Sequence, residues 1–235
     1  MKKKFLLIAI LLIFILGSSE FYLNKYYPAS PEAKLILTKN SETYKNYYTF
    51  GNPTSYYGMI FYPGGKVESA AYAPLLTALS QKGIFCVLPQ VPFHLAIFKM
   101  NAADGIQKQY PQVQNWYMAG HSLGGAVAAE YVFTHSDQFS GLILLAAYSE
   151  KDLSQTNLHI LTLYGSEDKI LSIRNFQKYA KYLPQNAQIT IIPGGCHSYF
   201  GDYGNQENDG IPQVSRSEQI DFTVDRIFHF LEENK

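Results

Sequence analysis

Residues Gly120-His121-Ser122-Leu123-Gly124-Gly125 lie between an apolar, strand-like run, Trp116 to Ala119, and a run of small residues, Ala126 to Ala129. A serine with glycine two positions to either side, entered from a strand and left into a helix, marks a sharp strand-to-helix turn. The serine backbone there is strained, so neighbouring side chains must be absent while the hydroxyl projects above a sheet. Gly120 and Gly124 supply that clearance, and Gly125 with Ala126 lets the helix pack close to the strand. A helix N-cap serine in a glycine-rich turn accounts for the serine. It does not account for glycine on both sides of it.

The rest of the chain alternates strand and helix patterns, which predicts a mostly parallel sheet of eight strands with helices on both faces. The expected strands are Lys34–Leu37, Tyr47–Phe50, Tyr57–Tyr62, Ile84–Leu88, Trp116–Ala119, Gly141–Ala146, His159–Tyr164 and Gln188–Ile192. The later ones read as apolar runs buried on both faces. Helical periodicity covers Ala70–Lys82, Ala102–Tyr110, Leu123–Phe133, Ile173–Tyr182 and Ser217–Glu233, the last with a stripe of Ile220, Val224, Ile227, Phe228 and Leu231. Only a short polar connection separates Ala147 from His159, leaving no room for a cap domain.

Serine is a weak nucleophile near neutral pH and needs a base that a third group orients. Downstream of Ser122, Asp168 follows one buried-type strand and His197 follows the next, so all three fall at the carboxyl edge of the sheet, where open α/β sheets bind ligands. Asp168 is preferred to its neighbour Glu167 as the acid; Glu150 and Asp152 are further substitutes. The other histidines read as core or surface residues, with His121 beside the serine. Two backbone donors are expected for a developing oxyanion: Leu123 N–H, directly after the serine, and an N–H of the loop Tyr62-Pro63-Gly64-Gly65-Lys66, with Gly65 preferred and Lys66 the alternative. Phe93, His94 and Tyr199 are candidate pocket walls.

The segments YYGMIFYPGG with Lys66, Ala71-Tyr72-Ala73-Pro74-Leu75, GHSLGG, Tyr164-Gly165-Ser166 and GGCHSYFGDYGNQENDG resemble the α/β-hydrolase superfamily. More narrowly, the chain resembles its capless branch of small exported or membrane-anchored bacterial esterases, distantly similar to dienelactone hydrolases. The resemblance spans about residues 35–233. It implies a Ser122–Asp168–His197 triad acting on carboxylic esters, without cofactor or metal. Serine in place of the cysteine nucleophile of dienelactone hydrolases means that dienelactone chemistry does not carry over. An acyltransferase working on a cell-surface acceptor, or a non-catalytic binding protein on the same scaffold, are the competing readings. The expected substrate is a small-molecule or surface-accessible acyl ester.

At the N-terminus, Lys2, Lys3 and Lys4 precede an unbroken apolar run, Phe5 to Leu16, and then Gly17-Ser18-Ser19. These are the parts of a secretory signal. Extension through Leu23 reaches the length of a membrane anchor, about 20 residues. Residues 1–23 are therefore expected to be a signal peptide or anchor, 24–33 a linker and 34–235 the folded domain, lying outside the cytoplasm, secreted or anchored. With Lys plus Arg and Asp plus Glu both at 19, the net charge is zero, and nothing points to a nucleic-acid partner. Gly201–Gly210, containing Asp202, Asn205, Glu207 and Asp209, lacks the spacing of a calcium loop and reads as a solvated polar loop. Cys86 reads as core, and Cys196 precedes the candidate base.

Overall fold

In the computed structural model, residues 23–235 are described. The strands are β1 (Ser41–Thr43), β2 (Tyr47–Phe50), β3 (Tyr57–Tyr62), β4 (Ile84–Pro89), β5 (Asn115–His121), β6 (Gly141–Leu145), β7 (His159–Gly165) and β8 (Gln188–Ile192). The helices are α1 (Pro31–Asn40), α2 (Ala73–Gln81), the short α3 (Ile106–Gln109), α4 (Leu123–Thr134), α5 (Ile173–Tyr179) and α6 (Arg216–Glu233). All eight strands form one sheet in the order β1-β2-β4-β3-β5-β6-β7-β8. β1, β2 and β4 pair antiparallel, and every pairing from β4 through β8 is parallel.

A strand's side chains alternate between faces, and here both faces are covered. On β3, Tyr57, Met59 and Phe61 join the core beneath α2 and α6, while Ile60 and Tyr62 join the opposite core beneath α4. β5 divides the same way, with Tyr117 and Ala119 on one side, Trp116 and Met118 on the other. Among the described residues no separate cap is present: β6 and β7 are joined by residues 146–158 without a helix or strand.

Four readings are corrected. Lys34–Leu37 is not a strand but the middle of α1, which Ser30 caps by accepting from Ala33 N–H, with Pro31 in the first turn. The apolar Leu-Ile-Leu run suggested a strand, whereas Ser-Pro-Glu is the helix-start signature. The stretch 24–33 is not a free linker over its second half. Tyr27 pairs with Val67, Ser30 N–H donates to the Asp202 carbonyl at 2.9 Å, and Ala29 and Ala33 are buried. β8 is an edge strand that exposes Ile189 and Ile191. On α6, Phe230 takes the core place expected of Phe228, which is half-buried beneath Lys82 Nζ. Cys86 and Cys196 are free and buried; burial pushes the Cys196 thiol up to about 11. The apolar run Phe5–Leu16 lies outside the described residues, among which no helix is long and apolar enough to cross a membrane.

Candidate active site

Ser122 links β5 to α4 with φ 51° and ψ −123°, a region other residues rarely occupy. The turn is possible because its neighbours lack side chains. A Cβ at Gly120 would lie 2.5 Å from the Gly124 backbone, and one at Gly124 would lie 2.3 Å from the carbonyls of Tyr62 and Pro63. That second approach seats α4 against the loop leaving β3.

Asp168 and His197 arrive from the two strands beyond. Asp168 follows β7, and its Oδ1 accepts from the N–H groups of Ile170 and Leu171 at 2.9 and 2.8 Å. Its Oδ2 lies 2.9 Å from His197 Nδ1, with both side chains buried. A carboxylate can only accept there, so Nδ1 carries the proton and Nε2 presents a lone pair. Nε2 is buried without a hydrogen-bond partner among the described residues. Ser122 and His197 both line a cavity of about 290 Å³, walled by Ala146, Ala147, Tyr148, Ile170 and Leu171 and reaching Glu150 and Ser172.

The loop carrying His197 is fastened on two sides. Gln219, fully buried on α6, accepts from Cys196 N–H at 2.9 Å and donates to the Cys196 carbonyl at 2.8 Å. Asp209 accepts from Ser198 N–H and O–H at 2.8 and 2.9 Å, from Gly210 N–H at 2.8 Å and from His197 N–H at 3.2 Å. Burial would raise the Asp209 pKa, but these donors outweigh it and hold the carboxyl below its ordinary value. Asp209 therefore belongs to the framework of the site, not to a solvated loop. No local pattern announced it, because most of its partners are backbone groups. Gln219 was missed for the same reason.

The oxyanion candidates fall beside the serine. Leu123 is the first residue of α4, where N–H groups have no partner within the helix. A Cβ at Gly65 would come within 2.8 Å of Leu123 Cδ2, so the two residues are in contact. Gly64 N–H donates to Tyr72 Oη at 2.9 Å and Lys66 N–H to the His94 carbonyl at 2.7 Å, which removes Lys66 as the second donor and leaves Gly65.

The expected pocket walls are elsewhere. Phe93 is exposed against Phe98, His94 packs against Tyr26 with ring centres 4.1 Å apart and planes tilted by 30°, and Tyr199 lies beneath the Arg216 guanidinium. None of the three lines the cavity. The walls come from the β6 and β7 loops, and composition alone does not tell which of many aromatic residues turn inward. Glu167 hydrogen-bonds Ser166 and not the histidine, whereas Glu150, considered as an alternative acid, sits on the cavity. Among the described residues no cluster of side chains could hold a metal ion.

The sequence model of the alpha/beta hydrolase family matches residues 58–221, which span the sheet from β3 to β8 and the whole site. The chain belongs to the alpha/beta hydrolase family. Solved structures similar in fold include Est1E from Butyrivibrio proteoclasticus (14% identity, TM-score 0.60, covering 83% of this chain and 97% of that one). The monoacylglycerol lipase of Paleococcus ferrophilus superposes equally well (16% identity, TM-score 0.60, 80% and 99%). So does a predicted CIB-like hydrolase of Thermoplasma acidophilum (15% identity, TM-score 0.58, 81% and 98%). At these identities the likeness is one of fold. No curated protein sequence matches the chain. Within the alpha/beta hydrolase fold, the edge that carries Ser122, Asp168 and His197 is where ligands bind.

Proposed function

We propose that this alpha/beta hydrolase is a serine hydrolase that cleaves carboxylic esters through an acyl-enzyme. The observation that carries the reading is the His197 ring: its Nδ1 is held by buried Asp168, and its Nε2 has no partner among the described residues, in a cavity it shares with Ser122. Ser122 Oγ attacks the ester carbonyl carbon as His197 Nε2 takes its proton. The Asp168 carboxylate balances the resulting imidazolium, and the N–H groups of Leu123 and Gly65 hold the oxyanion. Collapse expels the alkoxide, which leaves with the proton from His197. Water then repeats the sequence on the acyl-enzyme and frees Ser122. With no cap above it among the described residues, the cavity suits small or surface-accessible acyl esters. Esterases and a lipase among proteins of this fold agree with that class of substrate. The reading further places the domain outside the cytoplasm, secreted or held at the membrane by residues 1–23.

Labelling with a fluorophosphonate probe tests the nucleophile. Wild-type protein should label and Ser122→Ala should not; an unlabelled wild type, or equal labelling of the two, refutes the assignment. Hydrolysis of p-nitrophenyl esters of graded length then reads the acyl preference. Product analysis with added alcohols separates transfer to water from transfer to an acceptor.

A further inference from the structure

We propose that Tyr72 and His121 form a buried positioning relay that ties the oxyanion loop to the backbone of His197. Its consequence for catalysis rests on the serine-hydrolase reading; its hydrogen-bond logic does not. Gly64 N–H donates to Tyr72 Oη at 2.9 Å, that oxygen lies 2.8 Å from His121 Nδ1, and His121 Nε2 lies 3.1 Å from the His197 carbonyl. Tyr72, His121 and His197 are all buried, and neither Tyr72 nor His121 lines the cavity.

Only one proton arrangement satisfies every group. A backbone N–H can only donate, so Tyr72 accepts from Gly64 and must send its own proton to His121 Nδ1. Nδ1 is then bare, the imidazole proton sits on Nε2, and Nε2–H donates to the His197 carbonyl, which can only accept. Adding a second proton to His121 would aim Nδ1–H at the Tyr72 oxygen and leave the buried tyrosine proton without an acceptor among the described residues. The cost of such an orphan is what normally excludes it. Burial acts in the same direction, lowering the His121 pKa well below its ordinary value, helped by the charge His197 can carry. The surroundings of His121 are Tyr72 from the turn before α2 and, from the loop after β8, His197 and the apolar ring of Phe200.

The relay matters because of where it ends. Gly64 precedes Gly65, the proposed oxyanion donor, and a Cβ at position 64 would lie 2.6 Å from Tyr72 Oη and 2.8 Å from His121 Nδ1. Glycine there makes room for the relay. At the other end, the His121 and His197 rings are 4.7 Å apart between centres. His197 must become positive when it takes the Ser122 proton. A neighbour locked neutral adds no like charge at that moment.

Nitrogen NMR of the imidazoles in the full-length protein reads the relay directly. His121 should be neutral with its proton on Nε2 from pH 8 down to pH 5, and in Tyr72→Phe it should titrate or mix tautomers. A wild-type His121 that carries its proton on Nδ1, or titrates near about 6.5, overturns the proposal. In kinetics, Tyr72→Phe should lower kcat at least about tenfold while KM stays within about twofold. An Ile227→Val control, buried in the core and not lining the cavity, compared at matched loss of Tm, should keep kcat. Unchanged kcat in Tyr72→Phe, or an equal fall in the control, also overturns it. An unlabelled wild type in the fluorophosphonate assay would instead refute the nucleophile assignment, with the NMR result unaffected.

Discussion

Asp209 accepts four hydrogen bonds, three of them from Ser198 and His197, and so sets the direction in which the histidine leaves its loop. Removing the carboxylate leaves those donors unpaired in a half-buried place. Asp209→Ala should therefore cost about 2 kcal/mol of stability by urea unfolding. It should also slow fluorophosphonate labelling at 25 °C, where the variant remains folded, at least about tenfold. At this scale the sequence was legible wherever chemistry imposes an order. Ser122, Asp168 and His197 each follow a strand in the chain order the proposed chemistry calls for, and of that set the structure shows the pairing of Asp168 with His197. Phe93, His94 and Tyr199 were not legible in this sense. A residue close to the site in sequence turns toward or away from it according to backbone angles, and both Phe93 and His94 have positive φ.

Helix α4 depends on contacts that single atoms decide. Its second residue, Gly124, touches the carbonyls of Tyr62 and Pro63, so Gly124→Ala must push α4 and the loop leaving β3 apart. That would separate Leu123 from Gly65. The expected result is loss of labelling by about a hundredfold, with a lowered Tm, measured on the purified variant; a variant that labels normally would show that the two donors need not be adjacent. Element identities were legible where the periodicity was long or the strand buried on both faces, as for β3, β5 and α6. They failed where the apolar run was short. Leu35-Ile36-Leu37 reads as a strand until Ser30 and Pro31 are weighed as a helix start, and Leu35 is in fact exposed on α1. Ala102–Tyr110 shortens to the single turn of α3, because Gly105 adopts a positive φ at its start. The edge position of β8 follows from strand order, which no local window contains.

For the molecule as a whole, burying a neutral histidine makes stability depend on pH. The folded-state pKa of His121 is lowered by burial, then by the neighbouring His197 charge, and that of His94 by burial. Below about 6.5 the unfolded chain binds protons that the folded chain refuses, so stability falls as pH drops, by up to about 1.4 kcal/mol per pH unit for His121. Asp209 has the opposite cause but acts later: its contribution, present above the ordinary carboxylate range, is lost as pH falls through its lowered folded value. Calorimetry should show a Tm that is flat from pH 8 to 7 and declines from 6.5 to 5, with a shallower decline in His121→Asn. A wild-type Tm level down to pH 5 would contradict this.

The double clamp of Gln219 on Cys196 has one further consequence. Synthesis runs from the N-terminus, so the turn bearing Ser122 emerges well before α6, the helix whose Gln219 clamps the loop of His197. A nascent chain thus displays the Ser122 turn before the His197 loop can be fastened, and the two halves of the site come together only once that helix is free to fold.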